Sequence, residues 1–166
     1  MASVDEFVGR NAEARAVLAN VEMRRSTLVV GGAGVGKSAL LRFLEPVLES
    51  MGTYLPASRI GPGFGGFLRE LFEGLWGLGE LVGVEGSGNG KDLRVDLKAW
   101  GKHCPSNDLK AKWLVERIEV VGDVIIVVDD AQGVTPSNRP WLERLTEVAT
   151  VVAGVDPAAL GKPGSK

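Results

Sequence analysis

Cysteine is nearly absent. Cys104 is the single thiol in 166 residues, so no internal disulfide can form, and no C-x-x-C pair exists to hold zinc. Long apolar runs are missing too. No stretch reaches the roughly 18 residues that a bilayer-crossing helix needs. The first ten residues, MASVDEFVGR, carry acids where a secretory signal carries bases and an apolar run. Positive charge is not in excess: 19 Lys and Arg stand against 21 Asp and Glu. A net charge of −2 excludes a strongly basic nucleic-acid coat and leaves room only for a local patch. These absences predict a soluble, cytoplasmic chain with no membrane partner. At 17.6 kDa, 45% apolar and 24% charged, the chain suits one globular domain and not a disordered one.

Glycine is what the chain has in plenty: 23 residues, about twice the usual share of roughly 7%. Four crowd together as Gly31, Gly32, Gly34 and Gly36. Eleven more lie between Gly61 and Gly90, many in the runs GPGFGG (61–66) and GVEGSGNG (83–90). Residues 83–91 read as a mobile loop. There is no internal repeat of useful length.

Around these glycines, apolar spacing predicts alternating helices and strands. Ala14, Val17, Leu18 and Val21 predict a helix capped by Asn11 and closed by Arg24 and Arg25. Thr27 to Val30 is a short apolar run that reads as a buried strand. Leu40, Leu41, Phe43, Leu44, Val47, Leu48 and Met51 mark a second helix that Gly52 ends, with Pro46 expected to kink or restart it. Thr53 to Ile60 reads as a strand in which Pro56 argues for an irregular or edge position. Phe67, Leu68, Leu71, Phe72, Leu75 and Trp76 form a helical stripe. A weak pattern predicts a helix over Leu93 to Trp100, and Leu109, Trp113, Leu114, Ile118 and Val121 mark a better one. Val124 to Val128 is the clearest buried strand, and Asp129 and Asp130 stand at its end. A helix over Pro140 to Val148 and a strand over Val148 to Ala153 follow. The expected fold is α/β: a three-layer α/β/α P-loop NTPase fold with a mainly parallel sheet. The phosphate-loop strand is expected at its centre, the Asp129 strand nearby. Residues 1–160 form the core and 161–166 a disordered tail.

Gly31-Gly32-Ala33-Gly34-Val35-Gly36-Lys37-Ser38 matches G-x-x-x-x-G-K-[ST]. Glycines let backbone N–H groups turn inward and approach phosphate oxygens without a Cβ in the way. A helix starting at the loop aims its N-terminal amides and dipole at the anion. Lys37 reaches the β and γ phosphates, and the Ser38 hydroxyl is a hard oxygen ligand for Mg²⁺. The bland reading is a flexible Gly turn with a solvent-facing Lys. The apolar strand before the motif and the amphipathic helix after it favour the phosphate loop. At the end of VIIVV, Asp129 is the candidate to hold the water shell of Mg²⁺, and Asp130 to polarise the attacking water. Two acids that merely end a strand are the competing reading.

FVGRNAEARAVL (7–18), TLVVGGAGVGKSALL (27–41) and VIIVVDDAQ (124–132) together resemble the core of AAA+ ATPases. The nearest likeness is to archaeal origin-recognition initiators, STAND-type signalling NTPases and bacterial ATPases with an Asp-Glu-Ala-Gln box. The resemblance implies an adenine pocket lined by Phe7, Val8 and Gly9, and a nucleotide site completed by Ala39. It implies ATP with Mg²⁺ as the bound species, and a homo-oligomer or a partner ATPase subunit. DNA is a partner by kinship alone, since net charge gives it no support. Three departures stand out. The second acid is Asp130, where hydrolytic members mostly carry Glu. Ala153-Gly154-Val155-Asp156 stands where a polar sensor residue is expected. The sequence also lacks matches to the family's fifth strand, arginine finger and lid; Arg139 and Arg144 precede the sensor strand. It is read as a fragment, a minimal version or half of a split system.

Gln132 matches the box by position and reads either as a γ-phosphate neighbour or as a surface residue. His103 and Cys104 read as loop residues and not as a nucleophile pair. Trp76, Trp100, Trp113 and Trp141 read as core before base-stacking platforms. Lys98, Lys102, Lys110 and Lys112 read as a solvated face. The expected function is Mg²⁺-dependent ATP binding with slow hydrolysis. The amides of Gly34 to Ser38 cradle phosphate, Lys37 and Asp130 act catalytically, and Ser38 and Asp129 hold the metal. The rivals are a STAND-like binding switch without useful turnover and a small P-loop kinase.

Overall fold

The computed structural model describes residues 11–30, 37–60, 63–80 and 92–155. In them the chain runs α1 (Asn11–Glu22), β1 (Thr27–Val30), α2 (Lys37–Met51), β2 (Thr53–Arg59), α3 (Phe64–Gly77), α4 (Leu93–His103), α5 (Asn107–Val121), β3 (Val124–Asp130), α6 (Arg139–Val148) and β4 (Thr150–Val155). The four strands form one sheet, in the order β1-β4-β3-β2, with all three pairings parallel.

Period-2 alternation divides the core between the two faces of that sheet. Ile125 and Val127 of β3, Val29 and Val152 pack under α1 and α2 with Ala14, Val17, Leu40, Leu44 and Leu48. Ile126 and Val128, with Leu55, Ala57 and Ala153, pack under α3, α4, α5 and α6. The result is three layers, helix–sheet–helix. The assignment of faces follows from handedness. The step from β1 to β2 crosses the sheet one way, and the steps to β3 and β4 run back. Right-handed crossovers therefore send α2 to one face and α3 to α6 to the other.

Several sequence expectations meet the structure directly. The α3 stripe holds: Phe67, Leu68, Leu71, Phe72 and Leu75 are all buried. Pro56 does lie on an edge strand, since β2 pairs only with β3 among the described residues. Trp100 is core, stacked on Phe72 with ring centroids 4.4 Å apart and flanked by Trp113 at 5.9 Å. Trp76 is half-buried, and its indole N–H donates to the buried Asp96 carboxylate at 2.8 Å.

Others need correction. β1 is the outer strand of the described sheet, and β4 separates it from β3. The reason lies in burial: Val152 to Val155 of β4 are all buried, whereas Leu28 is 60% and Val30 46% exposed. β4 starts at Thr150 and extends to Val155, beyond the range expected. Pro46 does not restart α2, which continues through it with the ring on an exposed position. Arg24 and Arg25 do not lie in the last turn of α1. Arg24 takes a left-handed conformation (φ 57°) and pairs with Asp123 at 3.0 Å, while the Arg25 N–H donates to the Asn20 carbonyl at 2.8 Å. Gly52 serves by lacking a Cβ, because an added one would collide with the Asp123 carbonyl oxygen. The expected mobile loop 83–91 and tail 161–166 lie outside the described residues. No described helix is long and apolar enough to cross a membrane.

Candidate functional site

Parallel strands end together, so the sheet has one carboxyl pole, and the connections leaving it decide where a ligand can sit. The chain after β1 turns to the α2 face; the chain after β3 turns to the α6 face. Between them lies the end of β4. Divergence of two such connections opens a crevice, which is where α/β sheets take ligands. Backbone bonds fix its floor: the Ala131 N–H donates to Gly154 O at 2.8 Å, and the Ile60 N–H donates to Asp130 O at 3.0 Å.

Only the last two residues of the glycine motif, Lys37 and Ser38, are among the described residues. Gly31, Gly32, Ala33, Gly34, Val35 and Gly36 lie outside the described residues, as do Phe7, Val8 and Gly9. Lys37 and Ser38 are the first two residues of α2, and Ala39, the third, is exposed. The helix is held against the sheet by Leu40, Leu41, Leu44 and Leu48, all buried. α2 follows β1 in a parallel sheet, so its first turn carries the positive end of the helix dipole at the carboxyl pole.

The two acids of β3 separate. Asp129 follows the alternation of Ile125 and Val127 and stands on the α2 face, in a hollow shared with Leu41, Arg42, Tyr54 and Ser58. Asp130 follows Ile126 and Val128 to the opposite face. There its Oδ1 accepts the Gln132 N–H at 3.0 Å, an Asx turn that fixes the carboxylate against its own loop. Both acids are half-buried. Among the described residues, no group of three His, Cys, Asp or Glu side chains converges.

Asp130 also lines a polar cleft of about 810 Å³ with Arg59, Asn107, Asp108, Gln132 and Trp141. Arg59 is the β2 register partner of Asp130, so both point to the α6 face. The Trp141 indole N–H donates to Asp108 at 2.9 Å and ties α6 to the start of α5. The Arg144 guanidinium covers the ring of Trp141 at 4.8 Å. Asn138, buried, accepts the Thr135 N–H at 2.8 Å and shapes the turn into α6. The sequence reading did not single out Arg59, Asp108 or Asn138. A charged residue closing a strand at Arg59 was the one available signal.

Two other candidates resolve plainly. Cys104 is buried at the end of α4, and burial pushes its thiol pKa up while Lys110 pulls it down. A thiol so placed is a poor nucleophile. His103 beside it is exposed, so the two do not form a reactive pair. Tyr54, on the Asp129 side, has its pKa pushed up to about 12, first by burial and then by Glu45 and Glu49.

Compared with known proteins, the chain matches no protein-family profile and no curated sequence.

Proposed function

We propose that the chain binds Mg-ATP in the crevice between β1 and β3 and hydrolyses it slowly. The observation that carries this reading is one of placement. A G-x-x-x-x-G-K-S motif stands where β1 gives way to α2, and the one acid of β3 on the α2 face is Asp129. ATP over GTP rests on the resemblance to AAA+ cores, and no guanine-reading Asn-Lys-x-Asp stretch occurs.

In this reading the amides of Gly34 to Ser38 hold the phosphates, and Lys37 balances their charge. Ser38 and Asp129 hold Mg²⁺, which supplies charge neutralisation on the phosphate oxygens when bound. Hydrolysis adds water to the γ-phosphorus and breaks its bond to the bridging oxygen, giving ADP and inorganic phosphate. Asp130 would have to orient that water, and here a specific observation supports the rival binding switch. The Asp130 carboxylate lies on the far face from Asp129 and is engaged by the Gln132 amide. Water orientation requires that bond to open, so turnover is slow or absent until something opens it. A homo-oligomer or partner subunit and a DNA-linked role remain readings from kinship.

The test is an ATP-binding titration together with phosphate release, with and without double-stranded DNA. Lys37→Ala should abolish both. Asp129→Asn should weaken binding in Mg²⁺ by about tenfold or more and change little in EDTA. Asp130→Asn should leave binding intact and remove whatever turnover exists. Tight binding by Lys37→Ala would overturn the assignment. Stoichiometric binding with no release above the blank would select the switch.

A further inference from the structure

Trp100 carries a buried donor with nothing to donate to. The residue is 5% exposed, and its indole N–H has no hydrogen-bond partner among the described residues. Buried donors are nearly always paired, because an empty one forfeits the hydration it had in the unfolded chain. Trp76 shows the ordinary arrangement, with its N–H donating to Asp96 at 2.8 Å. Trp100 bounds a hollow of about 600 Å³ among α3, α4 and α5, in the helix layer opposite α2.

Among the described residues, four cations line that hollow and no carboxylate does. Arg69 comes from α3, Arg94 and Lys98 from α4, and Lys110 from α5. Arg69 has a partner in Glu73 at 2.9 Å. Arg94, Lys98 and Lys110 make no ion pair among the described residues. Arg94 and Lys98 stand one turn apart on one face of α4, where like charges repel. Lys110 is half-buried, with its ammonium 5.6 Å from the centroid of the Trp100 ring. An aromatic face thus stands where a counter-ion would. α3 begins beside these charges. No side chain caps its first turn, and its Gly65 and Gly66 border the hollow. A Cβ at Gly66 would meet nothing, so this positive end of the helix dipole is open to a ligand.

One kind of ligand answers all of these features. Unpaired cations and a helix dipole need negative charge, and the indole N–H needs an acceptor oxygen. The arrangement also sets the ligand's shape. Lys102 and Lys112 belong to the same basic stretch but do not line the hollow. The charges therefore form no track for a nucleic-acid strand. Three unpaired cations from two helices meet in one place, which fits one compact group bearing several negative charges.

We propose that this hollow binds a compact, multiply charged phosphate compound of the pyrophosphate class. Arg94, Lys98 and Lys110 balance its charge, and the Trp100 N–H donates to one of its oxygens. The site is independent of the ATP reading, since Lys37, Ser38 and Asp129 do not line the hollow.

The test titrates inorganic pyrophosphate, in EDTA, into the full chain with and without Lys37→Ala, which removes the proposed glycine-motif site. Calorimetry reads the affinity, and NMR reads the four indole N–H resonances. Trp100→Phe assigns the Trp100 resonance. The Lys37→Ala chain should bind one equivalent, and the Trp100 resonance should move downfield further than those of Trp76, Trp113 and Trp141. In the same background, Arg94→Gln with Lys98→Gln should weaken binding by about tenfold or more. Both side chains are exposed, so the circular dichroism and melting of that variant should match its parent. Lys110→Met keeps an apolar stem over the ring, removes the charge, and should weaken binding as well. Binding that Lys37→Ala abolishes belongs to the glycine motif and overturns the proposal. So does an absence of binding, an unmoved Trp100 resonance, or full affinity in the Arg94 and Lys98 variant. A single-stranded oligonucleotide that binds through these cations while pyrophosphate does not would overturn the compact ligand. Failure to bind ATP leaves every one of these readouts unchanged.

Discussion

Gly52 joins α2 to β2, and replacing it by Ala tests how tightly that junction is packed. Its φ lies outside the left-handed region, so the backbone conformation alone permits Ala. On conformational grounds the exchange should stabilise by about 0.5–1 kcal/mol, by reducing the freedom of the unfolded chain. Packing argues the other way. The new Cβ would overlap the Asp123 carbonyl oxygen and press on Ile125 Cδ1 at 3.3 Å. That carbonyl is backbone and cannot swing aside as a side chain can. It also accepts the Thr53 N–H at 2.8 Å, the bond that begins the β2–β3 ladder. Relief of the clash requires Asp123 to retreat. The retreat costs the hydrogen bond, about 1 kcal/mol, and overpacking strain of about 1–3 kcal/mol. It also disturbs the exposed Arg24–Asp123 pair, which contributes little. The net expectation is destabilisation of about 2 kcal/mol.

Urea unfolding followed by tryptophan fluorescence reads this directly. With a slope of roughly 2 kcal/mol per molar for a domain of this size, the midpoint should fall by about 1 M. Gly52 sits at the pole opposite the crevice, so the proposed ATP binding should be unchanged in the folded variant. A midpoint equal to or above wild type would refute the close approach. It would leave conformational entropy as the only effect of the exchange.

Two further outcomes follow from buried polar contacts. Asp96→Ala should cost about 2 kcal/mol, because it strips the acceptor from the Trp76 indole N–H; adding Trp76→Phe should recover part of that loss, and strictly additive costs in urea unfolding would refute the coupling. For Tyr54 the folded pKa of about 12 exceeds the unfolded value of 10.0, so between those values the folded state keeps a proton that the unfolded state has lost. Stability should therefore be whole below pH 10 and fall as pH rises toward 12, by at most about 2 kcal/mol for a half-buried ring. Tyr54→Phe should flatten that part of the curve.

What the sequence made legible was local. The 3.6-residue stripe of α3 and the run VIIVV of β3 each announce their element, because period and burial coincide there. Sheet order was not legible. TLVV and VIIVV look alike as apolar runs, yet one is an outer strand with two exposed side chains and the other is buried throughout Val124 to Val128. Periodicity reports which residues prefer burial and not which neighbour supplies it. The same limit applies at the site. That consecutive acids point to opposite faces follows from the pleat alone. Which of them shares a face with α2 needed the topology. The cleft of Arg59, Asn107, Asp130 and Trp141 was illegible, because its walls come from four elements spread over half of the sequence.

The division of the acids carries the functional argument furthest. Asp129 and Asp130 are adjacent in sequence, but the sheet lies between their side chains. An acid pair that shared one face could serve metal and water at once. This pair faces two compartments: the α2 side, where Lys37 and Ser38 open the helix, and the polar cleft beneath α6. Behind Asp130 the backbone is held by two bonds, Gln132 N–H to the Asp130 carboxylate and Ala131 N–H to Gly154 O. For Asp130 to act on a water at the proposed phosphate site, the Gln132 bond must open, at about 1 kcal/mol, and the carboxylate must also swing round the end of β3 toward the Asp129 face.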